Sequence, residues 1–134
     1  MIDKPGNEER VWQPILRQVA LIPEEQVGDG SWLRQIFHPA HLPLTTRYSL
    51  AYTRLECGKQ TRPHSLEQSE TYYLLTGRGL LYVGEQAFPL EPGSACWIPP
   101  GARQWLCNEG EECLEFLVIV DPPWTREGDS ATEG

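Results

Sequence analysis

Two stretches of this chain decide its fold: residues 58–77, GKQTRPHSLEQSETYYLLTG, and residues 93–108, GSACWIPPGARQWLCN. Both open with a glycine, and both place polar residues at fixed distances from it. The first stretch carries His64 and Glu70, and the second carries Gln104 just after a Pro-Pro-Gly turn. Glycine and proline at the borders of short apolar runs are typical of turns between β-strands.

The rest of the chain continues this pattern of short strands. With 134 residues, 12 Gly and 12 Pro, the chain is long enough for one domain with many turns. We predict strands at 15–22, 32–37, 48–56, 71–76, 80–83, 86–90, 94–98, 104–107 and 113–120, and at most one helical turn at 23–27. Short strands at regular intervals predict an all-β sandwich or barrel.

Charge and composition exclude some classes of partner. The net charge of −8 would repel a nucleic-acid backbone. No apolar run is long enough to cross a bilayer, and the polar start shows no signal peptide, so we expect a cytoplasmic protein without a membrane partner. The four cysteines form no CxxC pair and are expected to be buried free thiols.

The two stretches resemble the signature motifs of the cupin superfamily, G-x5-H-x-H-x3,4-E-x6-G and G-x5-P-x-G-x2-H-x3-N. The glycines, the first His, the Glu, the Pro and the Asn stand at the family spacing. Leu66 replaces the second His, and Gln104 replaces the third. The resemblance covers about residues 48–120 and implies a double-stranded β-helix, or jelly-roll barrel. We expect one barrel domain at 11–121, a flexible arm at 1–10 and a flexible acidic tail at 122–134.

The resemblance also implies where the site lies. In cupins the ligand-bearing faces point into the barrel, so His64, Glu70 and Gln104 are expected to converge there beside Leu66. One imidazole, one carboxylate and one amide oxygen suit a weakly held divalent metal such as Mn, Fe, Zn or Ni. The alternative is a metal-free pocket in which these side chains form a hydrogen-bonded cluster. Glu70, buried without a metal, would have a raised pKa and could act as a catalytic general base.

Further side chains are candidates for binding a substrate. Arg62, Arg54, Tyr52 and Tyr72 are assigned to substrate binding, because an arginine in an apolar barrel would pair with a carboxylate or phosphate. Each arginine could equally be a surface charge. His38 and His41 are expected to be solvated, although a loop folded over the barrel mouth would let His41 supply a nitrogen ligand.

Two functions remain open at this point. The first is a metal-assisted enzyme, of isomerase, lyase or dioxygenase type, acting on a small polar organic acid or a sugar derivative. The second is a metal-free cupin that binds a small molecule without catalysis. Trp97, Trp105, Phe116 and Val118 suggest apolar surface outside the barrel and hence a homodimer.

Overall fold

Strands and turns make up nearly all of the regular structure. A computed structural model describes residues 12–132, and within them nine strands occur together with two single 3-10 turns, Val19–Leu21 and Ser130–Thr132. The strands are β1 (Glu25–Gln26), β2 (Trp32–Phe37), β3 (Ser49–Leu55), β4 (Ser69–Thr76), β5 (Gly79–Val83), β6 (Gln86–Leu90), β7 (Ala95–Ile98), β8 (Gln104–Cys107) and β9 (Leu114–Asp121). No helix in this described part is long and apolar enough to cross a membrane.

The strands form two antiparallel sheets that face each other. The larger sheet has the order β1-β2-β3-β9-β4-β7, and the smaller has the order β6-β5-β8. Alternate residues of β3 and of β9 are buried, because successive side chains on a strand point to opposite faces. This arrangement confirms the predicted all-β jelly-roll barrel.

The dense core lies between the sheets at one end of the barrel. Leu81, Leu106 and Leu114 have no exposed surface, and Leu55 and Leu74 are nearly as buried. These residues belong to one continuous apolar cluster that joins both sheets. Because this end is filled by side chains, any interior space must lie towards the other end.

Two elements near the N-terminus differ from the prediction. Residues 15–22 form no strand, and residues 23–27 form no helical turn but contain β1. Leu16 and Leu21 remain 88% and 80% exposed, so the apolar run at 15–22 has no sheet face to bury. It is held at its backbone instead, where Arg34 donates hydrogen bonds to the carbonyls of Ala20 and Ile22.

The C-terminal residues also differ from the expected flexible tail. Within 122–132 the chain returns to the barrel, where Ser130 Oγ accepts from the Ser65 amide and Trp124 N–H donates to Ser49 Oγ. Ala131 is only 3% exposed. We call residues 122–131 the C-terminal strap. The predicted arm at 1–10 and the last two residues of the predicted tail lie outside the described residues.

Two surface expectations need correction. Phe116 and Val118 face the barrel interior, because they sit on the inward face of β9. Trp105 lies on the outer face of β8 as expected, where it stacks on Tyr82 with ring centroids 4.8 Å apart, and Trp97 is exposed as expected. The cysteines are free but not buried: Cys57 is exposed and the other three are partly exposed, because each lies at a turn or near a sheet edge.

Candidate functional site

His64 is placed by backbone pairing with the smaller sheet. Its amide donates to the Gln104 carbonyl at 3.0 Å, and the Gln104 amide donates back to the His64 carbonyl at 2.8 Å. The imidazole is 4% exposed, and its Nδ1 lies 2.9 Å from the Arg62 carbonyl. Because a carbonyl only accepts, Nδ1 carries the proton and Nε2 is left as an acceptor in the neutral ring.

Glu70 lies on the inward face of β4 and is 8% exposed. Burial raises the pKa of its carboxyl to about 8, and the charges of Asp29 and Asp129 act in the same direction. A hydrogen bond from the Gln104 side chain acts in the opposite direction. The carboxyl therefore holds its proton at neutral pH for the most part, as expected for a metal-free buried Glu.

Gln104 is held between Glu70 and Tyr72. Its Oε1 accepts a hydrogen bond of 2.7 Å from the Tyr72 hydroxyl, and its amide group hydrogen-bonds Glu70. All three side chains are more than 90% buried. They form one polar chain inside the barrel, which fixes the orientation of the amide because only its oxygen can accept from Tyr72.

The residues present do not fit a divalent metal at the family's usual position. Gln104 does not line the cavity and its Oε1 accepts from the Tyr72 hydroxyl, and Leu66 offers an apolar wall where the family places an imidazole. His64 and Glu70 are then the remaining donors of the predicted set. Within residues 12–132, no group of three or more His, Cys, Asp and Glu is arranged to hold a metal ion. The predicted Mn, Fe, Zn or Ni site is therefore not supported.

A cavity of about 810 Å³ lies at the open end of the barrel. Its walls include His64, Glu70 and Tyr72 from the predicted site, whereas Gln104 stands behind them and does not line it. Apolar wall positions on the inward faces of β2, β3 and β9 are Leu33, Ala51, Phe116, Val118 and Val120. A cavity that combines apolar walls with polar side chains is typical of a small-molecule site.

Three residues of this wall each carry a buried polar atom without a hydrogen-bond partner. Five buried side-chain polar atoms of the described residues are unpartnered, and three of them, Gln35 Oε1, Thr53 Oγ1 and Glu70 Oε1, belong to residues that line the cavity. Sequence reasoning missed Gln35 and Thr53. The period-two pattern of β3 could have identified Thr53, because Thr53 shares the buried face of this strand with Ser49, Ala51 and Leu55.

Loops form the mouth of the cavity, and the sequence did not predict that they meet there. Arg62 lines it as predicted, and His41 does so as the folded-over loop allowed. Trp124, Arg126 and Asp129 of the C-terminal strap complete it. Nothing in the sequence marked Trp124 for this role. His38, by contrast, is buried, and its Nε2 donates to the Trp124 carbonyl at 2.8 Å.

Tyr52 and Arg54, which were assigned to substrate binding, do not line the cavity. They alternate with Ala51 and Thr53 and therefore lie on the outer face of β3. The Tyr52 hydroxyl donates to Glu115, and Arg54 forms a two-pronged hydrogen-bonded ion pair with Glu24. Both side chains belong to the outer surface of the larger sheet, and this corrects their assignment to substrate binding.

Comparison with known sequences identifies relatives of this chain. A family model described as the cupin domain matches residues 51–120. An uncharacterised protein of Methanocaldococcus jannaschii is 32% identical over 106 residues, covering 78% of this chain and 84% of the relative. A protein of Thermotoga maritima named an oxalate-binding protein is 30% identical over 71 residues, covering 52% of this chain and 59% of the relative.

Solved structures share the same fold at low sequence identity. A crystal structure of a predicted oxalate decarboxylase from Thermotoga maritima matches 81% of this chain and 99% of its own length, with a TM-score of 0.71 and 19% identity. The polyketide cyclase RemF from Streptomyces resistomycificus matches 81% of this chain and 80% of its own length, with a TM-score of 0.72 and 19% identity. At these identities the likeness concerns the fold alone.

Proposed function

Because this chain belongs to the cupin superfamily, we propose that its barrel cavity binds a small polar molecule without the help of a divalent metal. One observation carries the proposal: three unpartnered polar atoms belong to residues that line one cavity of about 810 Å³. Unpaired polar atoms in a buried wall cost free energy, and a ligand with matching groups removes that cost. The name of the oxalate-binding relative supports a small oxygen-rich ligand.

Binding is tested first on the protein as purified. Native mass spectrometry reports any molecule retained in the cavity, and thermal unfolding with a panel of organic acids and sugars reports stabilisation by added ligands. Both measurements are made with a chelator present. Stabilisation that survives the chelator supports the proposal, and stabilisation that appears only with Mn, Fe, Zn or Ni contradicts it.

A cavity-filling variant ties the binding to the barrel interior. Ala51 lines the cavity and is 3% exposed, so Ala51→Leu places extra volume inside it. The matched control is Ala87→Leu on β6, where the side chain is exposed. Ligand-induced stabilisation should be lost in Ala51→Leu and kept in Ala87→Leu; equal stabilisation of both would place the ligand elsewhere.

The finer expectations about catalysis and location stay predictions. Metal-assisted isomerase, lyase or dioxygenase chemistry requires a third ligand that Gln104 does not offer in its present hydrogen bonds. In this prediction Glu70 would exchange a proton with a bound molecule, and at neutral pH its raised pKa would make it the proton donor. A cytoplasmic location is likewise a prediction from the sequence.

A further inference from the structure

We infer that the ligand of this cavity is an uncharged polyhydroxylated molecule, such as a sugar or a polyol, and not an anion. The inference rests on the proposed binding function and adds the chemical class of the ligand. It follows from which polar atoms lack partners, from the charges around them and from the apolar walls between them.

The unpartnered atoms in the wall call for hydrogen bonds from several directions. Gln35 Oε1 can only accept, and Thr53 Oγ1 can accept or donate. They come from the neighbouring strands β2 and β3, while Glu70 Oε1 comes from β4. His64, whose Nδ1 donates to the Arg62 carbonyl, adds a further polar side chain to the same wall. Hydroxyl groups match such a set, because each one donates and accepts without bringing a charge.

The carboxylates that line the cavity disfavour an anion beside Glu70. Asp29 and Asp129 both line the cavity, and both lie close enough to Glu70 to disfavour its ionised form. A carboxylate or phosphate of the ligand placed beside Glu70 would meet the same repulsion. Glu25 at the mouth adds to it, as does the net charge of −8.

The two arginines of the lining do not reverse this balance. Arg62 and Arg126 are both exposed and therefore belong to the mouth of the cavity. Both already take part in other interactions. An anion bound to them would lie at the entrance, away from the unpartnered wall atoms, and it would leave those atoms unsatisfied.

The apolar part of the wall suits the carbon skeleton of such a ligand. Tyr72 and Phe116 stack with ring centroids 5.3 Å apart, and both line the cavity together with Trp124 of the strap. Sugars and cyclic polyols present C–H faces as well as hydroxyl edges. The aromatic side chains can cover the C–H faces, while the polar atoms pair with the hydroxyl groups.

The test compares the affinities of neutral and charged probes, among them sugars and their matched acids. Calorimetric titration in the presence of a chelator uses glucose, galactose and myo-inositol as neutral probes, glucuronate and galacturonate as anions, glucosamine as a cation, and oxalate. We expect a neutral probe to bind at least about tenfold more tightly than its matched acid, the ratio that corresponds to about 1.4 kcal/mol. Stronger binding of an acid, of oxalate or of glucosamine overturns the inference.

Two variants check the physical cause. Thr53→Val removes one unpartnered hydroxyl and should weaken the neutral probe several-fold, while the control Thr71→Val on the outer face of β4 should not. Asp29→Asn should reduce the difference in affinity between the neutral probe and its matched acid, because one repelling charge is lost. Equal effects of Thr53→Val and Thr71→Val overturn the assignment of the wall hydroxyl.

Failure of this inference is distinguishable from failure of the proposed function. If no probe binds, the polyhydroxylated class is wrong, while mass spectrometry of the purified protein still decides whether the cavity holds a small molecule. If only oxalate or a sugar acid binds and Ala51→Leu abolishes that binding, the cavity is the binding site and the ligand class is the error.

Discussion

Glu70 is the residue whose chemistry depends most on its surroundings. In water a glutamate is ionised at neutral pH, but here burial raises its pKa to about 8. A carboxyl group that keeps its proton can donate a hydrogen bond, which an ionised one cannot. The same side chain can therefore donate a hydrogen bond inside this barrel, whereas on the surface it would be an anion.

The raised pKa of Glu70 predicts a pH dependence of stability. The folded state holds the proton up to about pH 8, whereas the unfolded chain releases it near pH 4.5. The contribution of Glu70 to the free energy of unfolding is therefore fully present below pH 4.5. That contribution is lost as the pH rises through 8, because the folded state must then ionise a buried group. The loss should amount to a few kcal/mol.

The measurement is chemical unfolding of the wild type and of Glu70→Gln between pH 5 and 9. Other groups titrate in both proteins, so the difference between the two curves reports Glu70. Its control is Glu85→Gln, a change at an exposed turn. Parallel curves for the wild type and Glu70→Gln would show that the carboxyl ionises as it does in water.

Tyr72 is predicted to stabilise the site through its hydroxyl. Tyr72→Phe leaves Gln104 Oε1 buried without that donor, which should cost about 1–3 kcal/mol of unfolding free energy. The control is Tyr73→Phe, since the Tyr73 ring is 42% exposed on the other face of β4. Urea unfolding measures both variants, and a cost for Tyr72→Phe no larger than that for Tyr73→Phe contradicts the assigned hydrogen bond.

At the level of elements, turns and close backbone contacts hold the strands in register. Gly77 ends β4 with a φ of +90°, and a Cβ placed there would lie 2.7 Å from the carbonyl oxygen of Cys113. Gly93 has a φ of +93° with open space around it. Both motif glycines thus need a left-handed backbone, but only Gly77 also allows the close approach of another strand.

This difference gives a matched pair of variants. Gly93→Ala should cost about 1 kcal/mol, the usual penalty for a left-handed residue with a side chain. Gly77→Ala should cost about 1–3 kcal/mol more, because the new methyl group overlaps the Cys113 carbonyl. Thermal and urea unfolding measure both. Equal costs for the two variants would mean that the β4–β9 contact adjusts without strain.

The C-terminal strap is the element that completes the mouth of the cavity. Its backbone pairs with residues 65–67, where Gly128 accepts from the Glu67 amide and Ser130 pairs with Ser65. Trp124 is fixed within the strap, because its indole N–H donates to Asp129 Oδ2 at 2.9 Å. Trp124 therefore meets the cavity in a defined orientation.

Removing the strap should expose the cavity. A chain that ends at Asp121 keeps all nine strands. His64 is 4% exposed in the full chain, and it should react faster with diethyl pyrocarbonate in the truncated chain. Mass spectrometry of the labelled peptides measures the rate in the full and in the truncated chain. Unchanged protection of His64 in a folded truncated protein would show that the strap does not cover it.

At the scale of the whole molecule, the outer face of the larger sheet carries two exposed aromatic residues, Trp97 and Tyr73. Trp97 is 62% exposed, and it pairs across β7 and β4 with Thr71, beside Tyr73 and Leu75. Such a surface fits the homodimer that the sequence predicts. The assembly stays a prediction, but the surface that would carry it is now defined by these four residues.

Light scattering during size-exclusion chromatography checks this prediction. The wild type should elute with twice the mass of one chain, and Trp97→Arg should lower the dimer fraction strongly, because it places a charge in an apolar contact. The control Trp105→Arg changes a tryptophan that stacks on Tyr82 in the smaller sheet. A wild type of single mass, or loss of the dimer in Trp105→Arg alone, contradicts the prediction.

Turn chemistry and alternation along single strands let the sequence by itself determine the short strands from 32 onward and an all-β sandwich or barrel. The resemblance to the cupin motifs then implied the jelly-roll barrel and the inward position of His64, Glu70 and Gln104. Only the tertiary structure decided that Gln104 accepts from Tyr72 instead of facing the cavity, and that Tyr52 and Arg54 lie outside. It also brought Gln35, Thr53 and Trp124 to one wall, because contacts between distant segments depend on strand register and on how the chain ends pack.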